Sequence, residues 1–414
     1  MKMNGIKPDC DVIIIGGGAA GLCAAVRLKK NLPSLKVVLL EQLPRVGKKL
    51  IVTGNGRCNI TNREIRPERY HGAHPGFCLP ALKKYSGART EEFFSSVGVV
   101  IAYDETGRGY PYSLQASSVV DALRFAAAEC GADVRCDSAV SDFKRENGGY
   151  SVKTADGALT CRYLIAAGGM YSGGDKLGST GALFGTFRKK GYPTVAPAPA
   201  IVQLKTDPAA VRPLKGIKVN AAAALLKDGK AVRRESGEVL FCDYGLSGPP
   251  ILQLSRAAGR NERGLEISLD LMPQYDGAET VRQLSSRVSD IGERPAEEFF
   301  TGLLNKRVGQ TLLKLCKISG RVQNGDIKAL SRIIHSWKFP VSGTTGFINS
   351  QVTSGGLDTS AFSAETMESS RDRGLYAAGE ILDIDGDCGG FNLQWAWSSA
   401  MAAADAIIQK ETEK

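Results

Sequence analysis

The sequence predicts an α/β protein in which one parallel-sheet domain is assembled from both ends of the chain and the middle forms an insertion. Three observations predict it. A strand–glycine–helix–strand pattern lies near the amino terminus, a second strand–glycine–helix pattern fills the last 40 residues, and a proline-interrupted texture separates them.

The first strand is Val12-Ile13-Ile14-Ile15, a continuous β-branched run of the kind buried on both faces of a parallel sheet. Gly16-Gly17-Gly18-Ala19-Ala20-Gly21 follows, and Leu22, Ala25 and Val26 then recur at helical spacing. Val37-Val38-Leu39-Leu40 ends in Glu41, which completes a minimal βαβ unit of about 30 residues. Arg45 to Asn62 reads as a polar, glycine-punctuated loop. Residues 89–98 and 117–130 read as helices; Val119, Val120, Leu123 and Ala126 share one face of the second. Val134 to Phe143 and Tyr150 to Thr154 read as strands, with Asn147-Gly148-Gly149 as the turn between them. Another buried strand, Tyr163 to Ala167, runs into Gly168-Gly169. Beyond Tyr192, Pro193, Pro197, Pro199, Pro208 and Pro213 break short apolar pieces, as in β structure with connecting loops. Residues 278–337 carry Leu, Lys and Arg at helical spacing, and strand-like pieces return from Thr345 to Thr353. Leu375 to Ala378, a glycine turn and a long helix close the chain.

Composition excludes several classes. The 414 residues are 43% hydrophobic and 23% charged, an ordinary globular mix with ample material for a core. No apolar run approaches the ~20 residues that span a bilayer, and Met1 to Cys10 lacks the apolar region of a secretory signal. Ten scattered cysteines with no C-x-x-C pair, beside three histidines, predict reduced thiols in a cytoplasmic protein and no metal centre. Lys and Arg exceed Asp and Glu by 53 to 43. The basic stretch Lys306 to Lys317 reads as a solvated helix face in preference to a nucleic-acid contact.

The chemistry begins at Gly16-x-Gly18-x-x-Gly21, the dinucleotide fingerprint in its required place between strand and helix. Gly16 permits the tight turn, Gly18 admits a pyrophosphate against backbone, and Gly21 allows helix and strand to approach. The helix amino terminus offers free N–H groups to phosphate. Glu41, 20 residues past Gly21, sits where a carboxylate accepts from ribose hydroxyls and disfavours a 2′-phosphate. This is a Rossmann-like unit. The fingerprint alone does not separate NAD from FAD. The second glycine cluster, Gly379-Glu380 and Asp385 to Asn392 ahead of a helix, places another helix terminus at the far half of an extended dinucleotide, which favours FAD. Asp383, Asp385 and Asp387 read as turn-forming groups, since no calcium-loop pattern is completed.

GGGAAG, LLEQ and VGKKLIVTGNGRCNITN within Asp11 to Asn62, together with GLYAAGEILDIDGDCGGFNLQWAWSSA, closely resemble the YhiN/BaiN-like FAD-dependent flavoproteins. Gly245-Leu246-Ser247-Gly248-Pro249 and Thr366-Met367-Glu368-Ser369 extend the resemblance over effectively the whole chain. It implies a Rossmann-like FAD-binding domain of the two-dinucleotide-binding-domain flavoprotein type, with inserted β-barrel-like and helical domains. The expected boundaries are 1–193 plus 354–414, then 194–272 plus 339–353, then 273–338.

By matching position, the resemblance implies that Gly16, Gly18, Ala20 and Gly21 hold the pyrophosphate, and Glu41 with Gln42 the adenosine end. Lys48, Lys49, Asn55, Gly56, Arg57, Cys58 and Asn59 fall in the loop that wraps the cofactor toward the flavin. Val140 matches a strand whose backbone meets adenine. Ala167-Gly168 matches an Ala-Thr turn with glycine in place of threonine, and Gly379, Glu380, Phe391, Asn392 and Leu393 match the flavin-facing turn and helix start. Tyr110, Tyr112 and Cys58 are the candidate catalytic groups by residue type. The activity implied is an FAD-dependent oxidoreductase acting on a small organic molecule. An NAD(P)H-dependent reductase of 3-oxo bile-acid type is preferred; an oxygen-dependent oxidase of aminoacetone type, and a flavoprotein acting on RNA or holding FAD structurally, are the alternatives.

Overall fold

The structure, a computed structural model, describes residues 8–291 and 294–413. Most of Met1 to Cys10, read above for a signal sequence, lies outside the described residues. The chain divides into two compact units, one running to Pro199 and resuming at Gln351, the other spanning Ala200–Ser350. The expected helical segment 273–338 and most of the expected barrel-like segment lie in the second unit, whereas 194–199 and 351–353 belong to the first.

The first unit is built on a seven-stranded sheet. Its strands include β1 (Cys10–Ile15), β2 (Val37–Leu40), β3 (Asp133–Arg135), β4 (Asp142–Glu146), β5 (Gly149–Thr154) and β6 (Gly157–Ala166) in the order β3-β2-β1-β6-β5-β4. β1 pairs in parallel with both β2 and β6. That explains why Val12, Ile13 and Ile14 are wholly buried: neither face nor edge of this strand meets water. Each such side chain contributes about 1.5–3 kcal/mol of transfer free energy. β6 is long enough to serve two neighbours on one side. Its first half pairs antiparallel with β5, and Leu164–Ala166 pairs in parallel with the short strand Leu375–Ala377. This last pairing returns the end of the chain to the middle of the sheet. The β4–β5 turn has Asn147 at φ 52° and Gly148 at φ 82°, the twist-matched geometry that the Asn-Gly pair predicts.

The expected strand Val134 to Phe143 is broken. Only 133–135 and 142–146 are extended, and Asp137 sits at φ 54° where the chain leaves one strand for the other.

Helix α1 (Ala19–Asn31) packs on the C-terminal helix Phe391–Thr412. The Arg27 guanidinium holds Asp405 with two hydrogen bonds of 2.8 and 2.9 Å. The C-terminal helix carries few charges, and its Trp395, Trp397, Ala400 and Ala403 are buried, which marks it as a core helix and not an amphipathic surface one. Among the described residues no helix is long and apolar enough to cross a membrane.

The second unit holds a seven-stranded antiparallel sheet whose backbone is the long hairpin Lys218–Lys227 and Lys230–Phe241. Asp228 (φ 50°) and Gly229 (φ 79°) form its tight turn. Trp337–Pro340 lies at one end of the strand path and Gly343–Thr344 at the other, yet two residues separate them. Val341 N donates to Leu265 O and Ser342 N to Lys205 O, so one segment bridges both ends and the sheet curls into the expected barrel-like form. Helices Gly277–Asp290, Lys306–Leu315 and Ile327–His335 cover the expected helical stretch.

Candidate dinucleotide site

The glycine fingerprint takes the shape that its residue types dictate. A side chain at Gly21 would put its Cβ 1.8 Å from Gly16 O, and one at Gly16, itself at φ +107°, would meet Ala167 O at 2.5 Å. Gly18 is different: a Cβ there would meet nothing within 4 Å. Open space therefore lies at the one glycine of the three where a phosphate must approach backbone. Gly18 caps α1 without any side-chain hydrogen bond to the first-turn amides, which leaves them for an anion. Ala20 sits in that first turn, and a Cβ on Gly379 would lie 3.1 Å from Ala20 Cβ, so the two ends of the chain meet here.

Glu41 ends β2 at 8% exposure. Its Oε2 accepts from Gly17 N at 2.7 Å and its Oε1 from Leu43 N at 2.9 Å. Burial pushes the carboxyl above its ordinary pKa, against the pull of these backbone donors. Gln42 turns away and donates to Gly178 O at 2.5 Å. Val140, expected on a strand, lies in the irregular stretch between β3 and β4, because the strand breaks before reaching it.

The loop after β2 has three parts. Gly47 (φ 71°) opens the short helix α2 (Lys48–Val52), with Lys48 exposed. Asn55 (φ 56°) and Gly56 (φ 80°) form an exposed left-handed turn that Arg57 follows, and the Arg57 guanidinium lies 4.9 Å over the Tyr110 ring. Cys58 and Asn59 then dive inward. The Asn59 amide, with its oxygen accepting from Gly390 N and its nitrogen donating to Thr61 O, both at 3.0 Å, fastens this loop to the start of the C-terminal helix.

Lys49, expected in the loop that wraps the cofactor, is engaged within the protein. Its ammonium pairs with Glu380 at 2.5 Å and also donates to Ser172 Oγ. Ser172 Oγ donates to Glu380 Oε1 at 2.6 Å, and Thr353 N to the same oxygen at 2.8 Å. Thr353 Oγ1 in turn accepts from Tyr171 N and Ser172 N. Burial alone would raise the Glu380 carboxyl; the Lys49 charge and these donors outweigh it and hold the group below its ordinary value. Four separate segments are knotted together at this one carboxylate.

At the C-terminal helix, Gly390 (φ 98°) forms the cap with no side-chain hydrogen bond to the first turn. Phe391 is buried edge-on to Tyr70, and Asn392 is committed to the preceding loop. Its Oδ1 accepts from Gly386 N at 2.7 Å, and its Nδ2 donates to Gly386 O at 2.8 Å. The amide thus shapes the glycine loop. Leu393 is half-buried against the core. Asp383 accepts from Ala73 N at 2.7 Å, while Asp387 holds His71 Nε2 at 2.8 Å and Arg69 at 3.2 Å.

The three candidate catalytic groups part company. Cys58 is wholly buried and its thiol is pushed up to about 12 by desolvation, so it is neither reachable nor a thiolate. Tyr110 is buried beneath the Thr53–Arg57 turn. Tyr112 is 78% exposed. Ser172, Thr353, Thr61 and Gln394 escape sequence reasoning. Gln394 is fully buried, accepts from Thr61 Oγ1 at 2.5 Å and donates to Tyr85 O and Thr90 Oγ1, both at 2.9 Å. Their one signal is proximity to glycine pairs: Ser172 follows Gly168-Gly169 and Thr353 precedes Gly355-Gly356.

An open glycine cradle, two helix amino termini without side-chain caps and a buried carboxylate at the end of β2 fit an extended FAD. The fold is that of the Rossmann-type FAD-dependent oxidoreductases. The chain belongs to the family described as HI0933-like protein Rossmann domain, whose model matches residues 10–406. It is 32% identical over 407 residues to a 3-dehydro-bile acid delta(4,6)-reductase of Clostridium scindens, covering 96% of this chain and 98% of that one. It is 31% identical over 414 residues to a ribosomal RNA dihydrouridine synthase of Haemophilus influenzae, with the same coverage. Among solved structures, a 3-ketosteroid-delta4-(5alpha)-dehydrogenase from Rhodococcus jostii aligns over 98% of both chains at a TM-score of 0.51 and 13% identity, a likeness of fold alone.

Proposed function

We propose that this protein is an FAD-dependent oxidoreductase that saturates a carbon–carbon double bond conjugated to a carbonyl, with NAD(P)H as electron donor. The observation that carries the reading is the full-length likeness to two enzymes whose names both denote loss of such a double bond. When bound, FAD supplies the hydride. This chain supplies the rest. The amides of the α1 terminus at Gly18 bind the pyrophosphate, Glu41 accepts from the ribose hydroxyls, and the helix terminus at Gly390 favours negative charge at the flavin end. Lys49, Glu380, Ser172 and Thr353 fix the loop beside it. Tyr112, the accessible hydroxyl of the candidate set, or Tyr110 beneath the loop delivers the proton that saturation requires.

Two substrates share that electronic pattern: a 3-oxo steroid enone, preferred on the 32% identity, and the uracil ring of RNA, favoured by the basic helices of the second unit. Anaerobic stopped-flow spectroscopy tests the reading. Bleaching of the flavin by NADH or NADPH, followed by reoxidation with a steroid enone or with uridine-containing RNA, is the expected result. Bleaching by aminoacetone alone would replace it with an amine oxidase, and silence toward every donor would overturn it.

A further inference from the structure

Excess positive charge is concentrated in the second unit: residues 200–350 hold 22 Lys and Arg against 15 Asp and Glu, seven of the chain's ten surplus charges. Within 306–332 the imbalance is seven to one. The lone acid, Asp326, is spent locally, its Oδ2 accepting from Gln323 N at 2.8 Å.

On each of the two helices the cations lie off the buried positions. On Lys306–Leu315 the buried Val308, Gly309, Leu312 and Leu313 form one face and Arg307 and Lys314 fall on the opposite one, with exposed Lys306 at the first position and Lys317 just beyond the end. On Ile327–His335, Ile327, Leu330, Ser331 and Ile334 are buried while Lys328 and Arg332 are exposed one turn apart. Among the described residues none of these six cations forms an ion pair, in contrast to Lys218 and Lys227 on the sheet of the same unit and Lys215 just before it. A solvated helix face normally mixes charges of both signs; here the unpaired charges are of one sign, which repels itself unless an anion covers it.

We infer that this helical pair is a docking surface for the phosphate backbone of RNA. The apolar faces of both helices are already used in the core, so the surface lacks the exposed apolar stripe that membrane binding requires. The choice of RNA among polyanions rests on the proposed double-bond reduction, whose second substrate class is a uracil ring. The contact is to phosphate and therefore independent of base sequence.

The test measures fluorescence anisotropy of the FAD-loaded enzyme with a labelled 30-nucleotide uridine-containing single-stranded RNA over a salt series. Six phosphate contacts give a log–log salt slope of about −4, a loss of about 300-fold in affinity between 50 and 200 mM salt. Joint replacement Lys314→Gln, Lys317→Gln, Lys328→Gln and Arg332→Gln is expected to flatten the slope to about −1.5 and weaken binding at 50 mM by about 10³-fold. The charge-conserving set Lys314→Arg, Lys317→Arg, Lys328→Arg and Arg332→Lys retains binding. Flavin content and reduction of a small enone stay at wild-type levels in both, so loss of RNA binding is not confused with loss of the reaction. Absent binding at 50 mM, binding that the glutamine set leaves unchanged, tighter binding to duplex DNA of equal phosphate count, or equal binding to vesicles with 30% anionic lipid would each overturn the inference.

Discussion

Lys49→Met is the sharpest perturbation of the knot beneath the cofactor loop. The Lys49 and Glu380 side chains are 28% and 18% exposed, so the substitution strands a mostly buried carboxylate on two remaining donors, Ser172 Oγ and Thr353 N. Stranding one partner of a fully buried pair costs about 3–5 kcal/mol; with this residual exposure and two donors left, about 2–3 kcal/mol is expected. For a unit of this size that is a fall of about 5–10 °C in Tm. The pH dependence gives the sign. Glu380 titrates below its ordinary value when folded, so the pair's stabilisation is complete above about pH 4.5 and fades as the pH falls through the folded value. In Lys49→Met the loss of the opposing charge lets burial raise the carboxyl, which becomes neutral on mild acidification. The deficit against wild type is therefore largest at pH 7 and shrinks toward pH 4. Adding Glu380→Gln removes the stranded charge and recovers about half the loss at pH 7. Thermal melts of the three proteins at pH 4, 5.5 and 7 decide it. A deficit that is the same at every pH, or a double variant that melts no higher than Lys49→Met, would refute the electrostatic account.

Two glycines of the fingerprint should fail in opposite ways. Gly18→Ala finds open space at φ −82° and keeps the wild-type Tm of the apoprotein while losing the bound flavin, whereas Gly21→Ala, 1.8 Å from Gly16 O, is expected to lower stability by about 3 kcal/mol or more; melts and visible absorbance read both. Tyr112→Phe and Tyr110→Phe separate the proton donors: the true donor's loss lowers steady-state turnover by about 10²–10⁴-fold with the rate of flavin reduction by NADH unchanged, and if neither does so both residues leave the mechanism. Asn392→Ala removes the bonds that brace Gly386 and should cost about 1–3 kcal/mol in urea unfolding, with no change in m-value.

Local chemistry made the Rossmann half of the fold legible. A four-residue β-branched run and glycines at fixed offsets have few structural uses: Val12–Ile15 lies in the central parallel strand, Gly16 and Gly21 sit where a Cβ would meet backbone, and Glu41 accepts from the Gly17 amide. The break at Asp137 is hard to read in sequence, because Val134-Arg135-Cys136-Asp137 alternates like a half-buried strand and no Gly or Pro marks where the extended backbone stops. Side-chain allegiance at the site was the hardest to read. Lys49 reads as a residue of the cofactor loop, but its partner Glu380 lies 331 positions away in sequence, and only the pairing of β6 with Leu375–Ala377 brings that carboxylate within reach. Asn392 likewise reads as a ligand group, since nothing in the sequence reveals that Gly386 claims its amide.

One FAD per chain is expected between the helix termini at Gly18 and Gly390. Visible absorption of the freshly purified protein, calibrated by heat release of the cofactor, tests it directly. The expected result is close to one FAD per chain, lost in Gly18→Ala. Colourless protein that takes up no FAD on reconstitution would contradict it.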